Sequence, residues 1–220
     1  MGRRFTVAFG ALVGALTIGT AAQAAVVDWA VWTSNTTGTL AGGSNAITYT
    51  GELAGYSLYP LYTPASSFTG GPVGNAPAAS DDSILLTGGS SQVNTVSFAT
   101  ALINPVFAIW SLGQNNVPTI FDFTGSAPFT IVAGGPTVQY AGQPITSGGS
   151  IVSGVEGNGV IQFHGSVSSI SWTNPNYEYF YGFTVGSVGV PEPATWGMMI
   201  MGFGGIGALM RRRRTVAAAA

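Results

Sequence analysis

Between Phe5 and Met210 the chain carries no lysine and no arginine. All six arginines sit at the extremes, Arg3 and Arg4 at one end and Arg211, Arg212, Arg213 and Arg214 at the other. The interval holds all eight acids and one histidine, His164. A domain built this way has no basic groove, so DNA and RNA are excluded as partners. It has no lysine for a phosphate-binding P-loop. Without cysteine it forms no disulfide and does no thiolate chemistry. Charged residues are only 6% of the chain, too few for the Glu/Lys-rich periodic runs of a helical bundle. The 33 glycines and 12 prolines favour turns, while 12 Phe, 8 Tyr and 5 Trp supply enough aromatic bulk for a packed core.

The arginines mark two targeting segments. Arg3-Arg4, the apolar stretch from Phe5 to about Ile18 and the small-x-small site Ala22-Gln23-Ala24 have the layout of a secretory signal peptide over 1–24. Signal peptidase is expected to cut after Ala24, leaving Ala25 first in the mature chain. At the other end, Pro191-Glu192-Pro193 and Trp196 precede an apolar run to Met210, then Arg211–Arg214 and a tail over 215–220. Trp196–Met210 would be roughly 22 Å long as a helix, against about 30 Å of hydrocarbon core. With flanking residues recruited, the run is expected to be a transmembrane helix. The arginines would stay cytoplasmic, and the domain upstream would lie on the far side.

Pro-Glu-Pro, then Trp196, an apolar helix and an arginine cluster resemble the PEP-CTERM sorting signal in its PEPxxWA form, with Gly197 in place of the final alanine. The resemblance covers about 190–214. It implies a Gram-negative bacterium that makes exopolysaccharide. It also implies recognition of Pro191, Glu192, Pro193 and Trp196 by an exosortase-type membrane protease. The chain would be that protease's substrate, not an enzyme. Its expected location is transiently the inner membrane, with the domain outside, and then the cell surface or extracellular matrix. The stretch Asn94–Val185 loosely resembles the exported domains of other such proteins, a likeness that carries no activity.

Residues 25–190 hold seven acids and no base. Short alternating or apolar runs are separated by turn residues, and no stretch is a credible helix of ten residues. Ile161 and Phe163 share one strand face, as do Phe121 and Phe123, and Tyr177, Tyr179, Tyr181, Phe183 and Val185 would line another. Glu156-Gly157-Asn158-Gly159 reads as a hairpin turn. The expected fold is all-β, a β-sandwich of jelly-roll type, flanked by the signal helix and the transmembrane helix. A barrel or β-helix is the alternative, but no rung repeat is visible. Residues 62–82, crowded with Pro and Gly, read as a long surface loop or an edge insertion.

Chemistry in this domain is sparse. One histidine makes neither a zinc site nor, without a Gly-x-Ser-x-Gly elbow, a serine triad. Asp81-Asp82 is a weak calcium candidate, and no cofactor is implied. Glu52, Asp122, Glu156 and Glu178 are the carboxylates from which a glycoside-hydrolysing pair would have to come. Tyr177, Tyr179 and Tyr181, after Trp172, could stack on sugar rings, although a place in the core explains such a stripe equally well. The expected role is structural or adhesive, at the surface or within exopolysaccharide. A carbohydrate-binding module is the alternative, and a glycan-active hydrolase a weaker one.

Overall fold

The structure, a computed structural model, describes residues 24–40, 42–57, 61–78, 83–179, 181–189, 197 and 199–207. They form a mostly β-sheet domain. Its strands are β1 (Val27–Trp32), β2 (Thr37–Leu40), β3 (Ala46–Thr50), β4 (Gly55–Ser57), β5 (Ser83–Leu86), β6 (Asn94–Ile103) and β7 (Val106–Leu112). They continue with β8 (Thr119–Asp122), β9 (Phe129–Gly134), β10 (Thr146–Gly148), β11 (Ile151–Gly154), β12 (Gly157–Phe163), β13 (Ser166–Trp172) and β14 (Tyr181–Val188). Among the described residues an eleven-stranded sheet runs β13-β6-β3-β2-β1-β14-β7-β12-β9, with β5 and β4 joined through β14. The smaller sheet is β10-β11-β8.

The large sheet bends at β1. Val27–Trp29 pair with Val188–Gly186 of β14, while Ala30–Trp32 pair with Leu40–Gly38 of β2. Each partner carries a glycine at the bend. A Cβ on Gly186 would come within 2.6 Å of Val27 Cγ1, and one on Gly38 within 2.7 Å of the Val31 carbonyl oxygen. Glycine thus permits the close approach that lets one strand serve both arms.

The two arms face each other across an aromatic core. Trp172 of β13 meets Phe183 of β14 edge-on with ring centres 4.8 Å apart, and Phe107 of β7 stacks on Phe183 at 5.0 Å. Tyr49, Phe121 and Phe123 complete the cluster. The strand patterns follow from which faces are covered. In β3, Ile47 and Tyr49 are buried between exposed Ala46, Thr48 and Thr50. Every residue of β7 is buried, because a second cluster covers its other face: Leu61, Tyr62, Phe68 and Val73 pack on Val106, Ala108 and Trp110. The described part of the irregular stretch 62–82 is therefore a packed cover on the sheet.

Three expectations are corrected. The fold is not a pair of separate sheets in a jelly-roll sandwich flanked by helices, because β1 joins both arms into one sheet. The transmembrane helix over Trp196–Met210 is not supported. Among the described residues no helix is long and apolar enough to cross a membrane. Residues 199–207 are helical and exposed, about 13 Å at 1.5 Å per residue, and glycines 202, 204, 205 and 207 dilute their apolar character. Transient inner-membrane anchoring through such a helix is withdrawn with it. The expected signal helix falls on residues outside those described, apart from Ala24. Finally, Glu156–Gly159 does not close a hairpin. β11 pairs with β8 and β10, whereas β12 pairs with β7 and β9, so the turn passes the chain between sheets.

Trp172 touches both arms and is almost wholly buried. Trp172→Ala should cost about 3–5 kcal/mol in chemical denaturation, a large share of the roughly 5–15 kcal/mol of a typical domain. A loss below about 1 kcal/mol would show that the arms are not held together there.

Candidate functional site

β7 ends in an unusual conformation. Ser111 has φ +58°, and Gly113 follows at +86°. Across the sheet, β12 opens with a bulge between Gly157 and Gly159, just after Glu156 at φ +51°. Left-handed backbone at a serine and a glutamate is unfavourable unless the surroundings enforce it. Asn158, fully buried in the bulge, does so: its Oδ1 accepts from Ser111 N–H at 2.8 Å and its Nδ2 donates to the Glu156 carbonyl at 2.7 Å. Ser111 Oγ then donates to Glu156 Oε2 at 2.5 Å.

Glu178 reaches the same place from the segment before β14. Its N–H donates to the Thr87 carbonyl at 2.8 Å, and its Oε2 accepts from Gly113 N–H at 2.5 Å. Its side chain is buried, 2% exposed. Burial, reinforced by the charge of Glu156 and opposed by the Gly113 N–H, pushes its carboxyl up to about 8. Thr119, fully buried, lies beside Glu178 and favours its charged form.

Above these groups is a cleft of about 160 Å³ lined by Ser111, Gln114, Tyr140, Glu156, Glu178 and Tyr179. A wider depression of about 580 Å³ continues from it past Asn115, Asn116 and Gln143, sharing Tyr140 and Glu156. Tyr179 is 74% exposed and Tyr140 47%, with Tyr140 leaning on Trp110 at 5.7 Å. Aromatic rings, carboxylates and carboxamides thus meet in one groove, the inventory that binds the faces and hydroxyls of sugars.

Of the four carboxylates singled out in the sequence, the structure brings together Glu156 and Glu178. Glu52 is bonded by Thr87 and Asn174 in a network that includes Asn94, Tyr49 and Tyr181. Asp122 accepts from Thr124 and Ser150, and Thr124 holds its carboxyl below the usual range. Of the three tyrosines, Tyr177 and Tyr179 are exposed, whereas Tyr181 is wholly buried with its hydroxyl on Asn174. The expected strand from Tyr177 starts only at Tyr181, so these residues do not share one face. His164 is exposed and meets Thr130 Oγ1 at 3.2 Å. No group of three metal-ligating residues occurs among the described residues. Asp81, Asp82, Ala22, Pro191, Glu192, Pro193, Trp196 and Arg211–Arg214 lie outside them. Ala24 is exposed; Ala25 begins backbone pairing, donating to the Pro72 carbonyl at 3.0 Å. Sequence reasoning missed Ser111, Gly113, Gln114, Tyr140 and Asn158. The one available signal was Glu156-Gly157-Asn158-Gly159, which looks like an ordinary turn.

Residues 189–214 match the family model described as the PEP-CTERM protein-sorting motif. The chain carries a PEP-CTERM sorting motif. It is accordingly an exported, C-terminally sorted protein, and the motif implies processing by an exosortase-type system. No curated protein and no solved structure matches it.

The buried carboxyl of Glu178 sets a pH dependence. Glu178 titrates near 8 when folded and near its ordinary 4.5 when unfolded. The folded state therefore binds more protons between those values, and stability falls as pH rises from about 4.5 to about 8. Glu178→Gln should flatten that part of the denaturation-midpoint profile. A Glu178→Gln profile that keeps the full slope would exclude Glu178 as its source.

Proposed function

We propose that this protein is placed at the cell surface or in exopolysaccharide and acts there as an adhesive component, holding polysaccharide in the groove between Tyr140 and Tyr179. The observation that carries this reading is the pairing of two exposed tyrosines with a polar floor of Glu156, Glu178, Ser111 and Gln114. Tyrosine presents a large rigid face at little entropic cost, and the floor supplies acceptors and donors for sugar hydroxyls. In this reading the site binds its glycan and does not turn it over. The exported protein should retain glycans on an array, and Tyr179→Ala should weaken that binding about tenfold, as loss of an aromatic anchor does. Absence of binding to any glycan would leave a purely structural role.

Export in this reading begins with signal-peptidase cleavage after Ala24 and ends with cleavage near Pro191-Glu192-Pro193. Proline in general disfavours helix in the residue before it and so favours the extended backbone that a protease binds. The triple variant Pro191→Ala, Glu192→Ser, Pro193→Ala should keep its C-terminal peptide in mass spectrometry and deplete the surface pool in the native host. An unchanged mature mass and location would overturn the processing step.

A further inference from the structure

We infer that the ligand of this groove is an uncharged polysaccharide, bound along consecutive sugar units, and that the groove rejects chains bearing carboxylate, sulfate or phosphate groups. This rests on the glycan-binding reading above and names its ligand class. The first observation is an aromatic platform held in place before any ligand arrives. Tyr140 stands on a loop pinned at three points. Thr137 N–H donates to the Ala141 carbonyl at 2.6 Å, Val138 N–H to the Thr63 carbonyl at 3.0 Å, and Ser67 Oγ to the Pro136 carbonyl at 2.6 Å. The half-exposed ring also leans on Trp110. A ring held this way loses little freedom when the face of a sugar stacks on it.

The second observation is what the polar groups can and cannot bind. Glu156 and Glu178 present acceptor oxygens, and the carboxamides of Gln114, Asn115, Asn116 and Gln143 present both N–H donors and carbonyl acceptors. That mixture pairs with hydroxyls, which donate and accept. An anionic substituent needs a cationic partner, which arginine and lysine supply in other proteins. None exists between Phe5 and Met210. The one histidine, His164, sits against Thr130 of β9 and does not line the groove. Residues 25–190 carry seven acids, so an approaching anion is repelled by the domain as a whole and by the two glutamates nearest to it. Selectivity of this kind comes from repulsion of the wrong ligand as much as from attraction of the right one.

The third observation is length. The cleft of about 160 Å³ opens into the depression of about 580 Å³, and the two share Tyr140 and Glu156. A sugar chain leaving the cleft therefore meets further carboxamides along its path, as an internal stretch of polymer requires.

The test is calorimetric titration of the exported protein with matched hexamers. The pairs are a glucan and the uronan made by oxidising its primary hydroxyls, a mannan and the mannuronan of the same linkage, and a galacturonan as methyl ester and as free acid. In any pair that binds, the neutral member should bind at least about tenfold more tightly. It should also bind at least about tenfold more tightly than its monosaccharide. Added salt should narrow the gap within a pair by strengthening the acid member. Glu156→Gln, which retains an acceptor for Ser111, should narrow the same gap. Equal binding within the pairs, or a preference for the acids, would overturn the inference and leave glycan binding standing. So would a gap that neither salt nor Glu156→Gln changes, because the rejection would then not be electrostatic. A monosaccharide as tight as its hexamer would overturn binding along the chain. If every hexamer is silent, the glycans retained on the array decide by their charge: neutral ones uphold the inference and acidic ones overturn it. Silence in both experiments would overturn the glycan reading as well.

Discussion

Every carboxylate in this domain must be held without a cation. Glu52 is held by Thr87 and Asn174, Asp122 by Thr124 and Ser150, Glu156 by Ser111 and Glu178 by the Gly113 N–H. Neutral donors oppose desolvation less effectively than a paired charge. The outcome then depends on exposure and neighbours. At Asp122, only half-buried, the threonine and serine bonds dominate, and the carboxyl is held low. At buried Glu178, beside a second glutamate, desolvation dominates and the carboxyl is pushed up. The lack of basic side chains thus leaves one acid in an unusual state at the mouth of a cleft.

The rigidity that makes such a state tolerable comes from the aromatic core. Phe183 of β14 contacts Trp32, Tyr49, Phe107 and Trp172, which come from β1, β3, β7 and β13. These rings tie the two arms of the bent sheet to its centre. The ends of β7 and β12 therefore have little freedom, and Asn158 can hold Ser111 and Glu156 in left-handed backbone. A looser core would let that strain relax and the two carboxylates separate.

The parts of the fold legible in the sequence were those governed by local pattern. Val106–Leu112 is apolar except for Ser111 and is buried throughout, and the alternation in Ala46–Thr50 matches the exposure of its residues. Thr37–Leu40 is a strand that local pattern does not mark, because Thr-Gly-Thr-Leu offers little apolar periodicity. The bend at β1 was invisible, since a strand that changes partners halfway leaves no local trace. The run from Tyr177 misled for a physical reason: Glu178 turns inward to Gly113 and the chain enters the sheet only at Tyr181. The groove was the least legible part. Its bonds join residues 45 and 65 positions apart, and they depend on a bulge and three positive φ angles that no periodicity encodes.

The course of β14 relates the groove to the sorting segment. Glu178 and Tyr179 lie just before its first residue, Tyr181, and the strand ends at Val188, immediately before the matched motif at 189–214. Eight residues of strand span roughly 23 Å. The pairing confirms the polarity: Gly182 lies opposite Trp110, next to the left-handed Ser111, while Gly186 lies opposite Val106 at the far end of β7. Val27 pairs with Val188, so the N-terminal entry to the domain is also at that far end. The described residues Val27 and Val188 therefore lie at one end of the sheet and the tyrosine-lined groove at the other. The elements that build the groove, the ends of β7 and β12 and the segment before β14, thus all lie away from the strand ends that meet at Val27 and Val188.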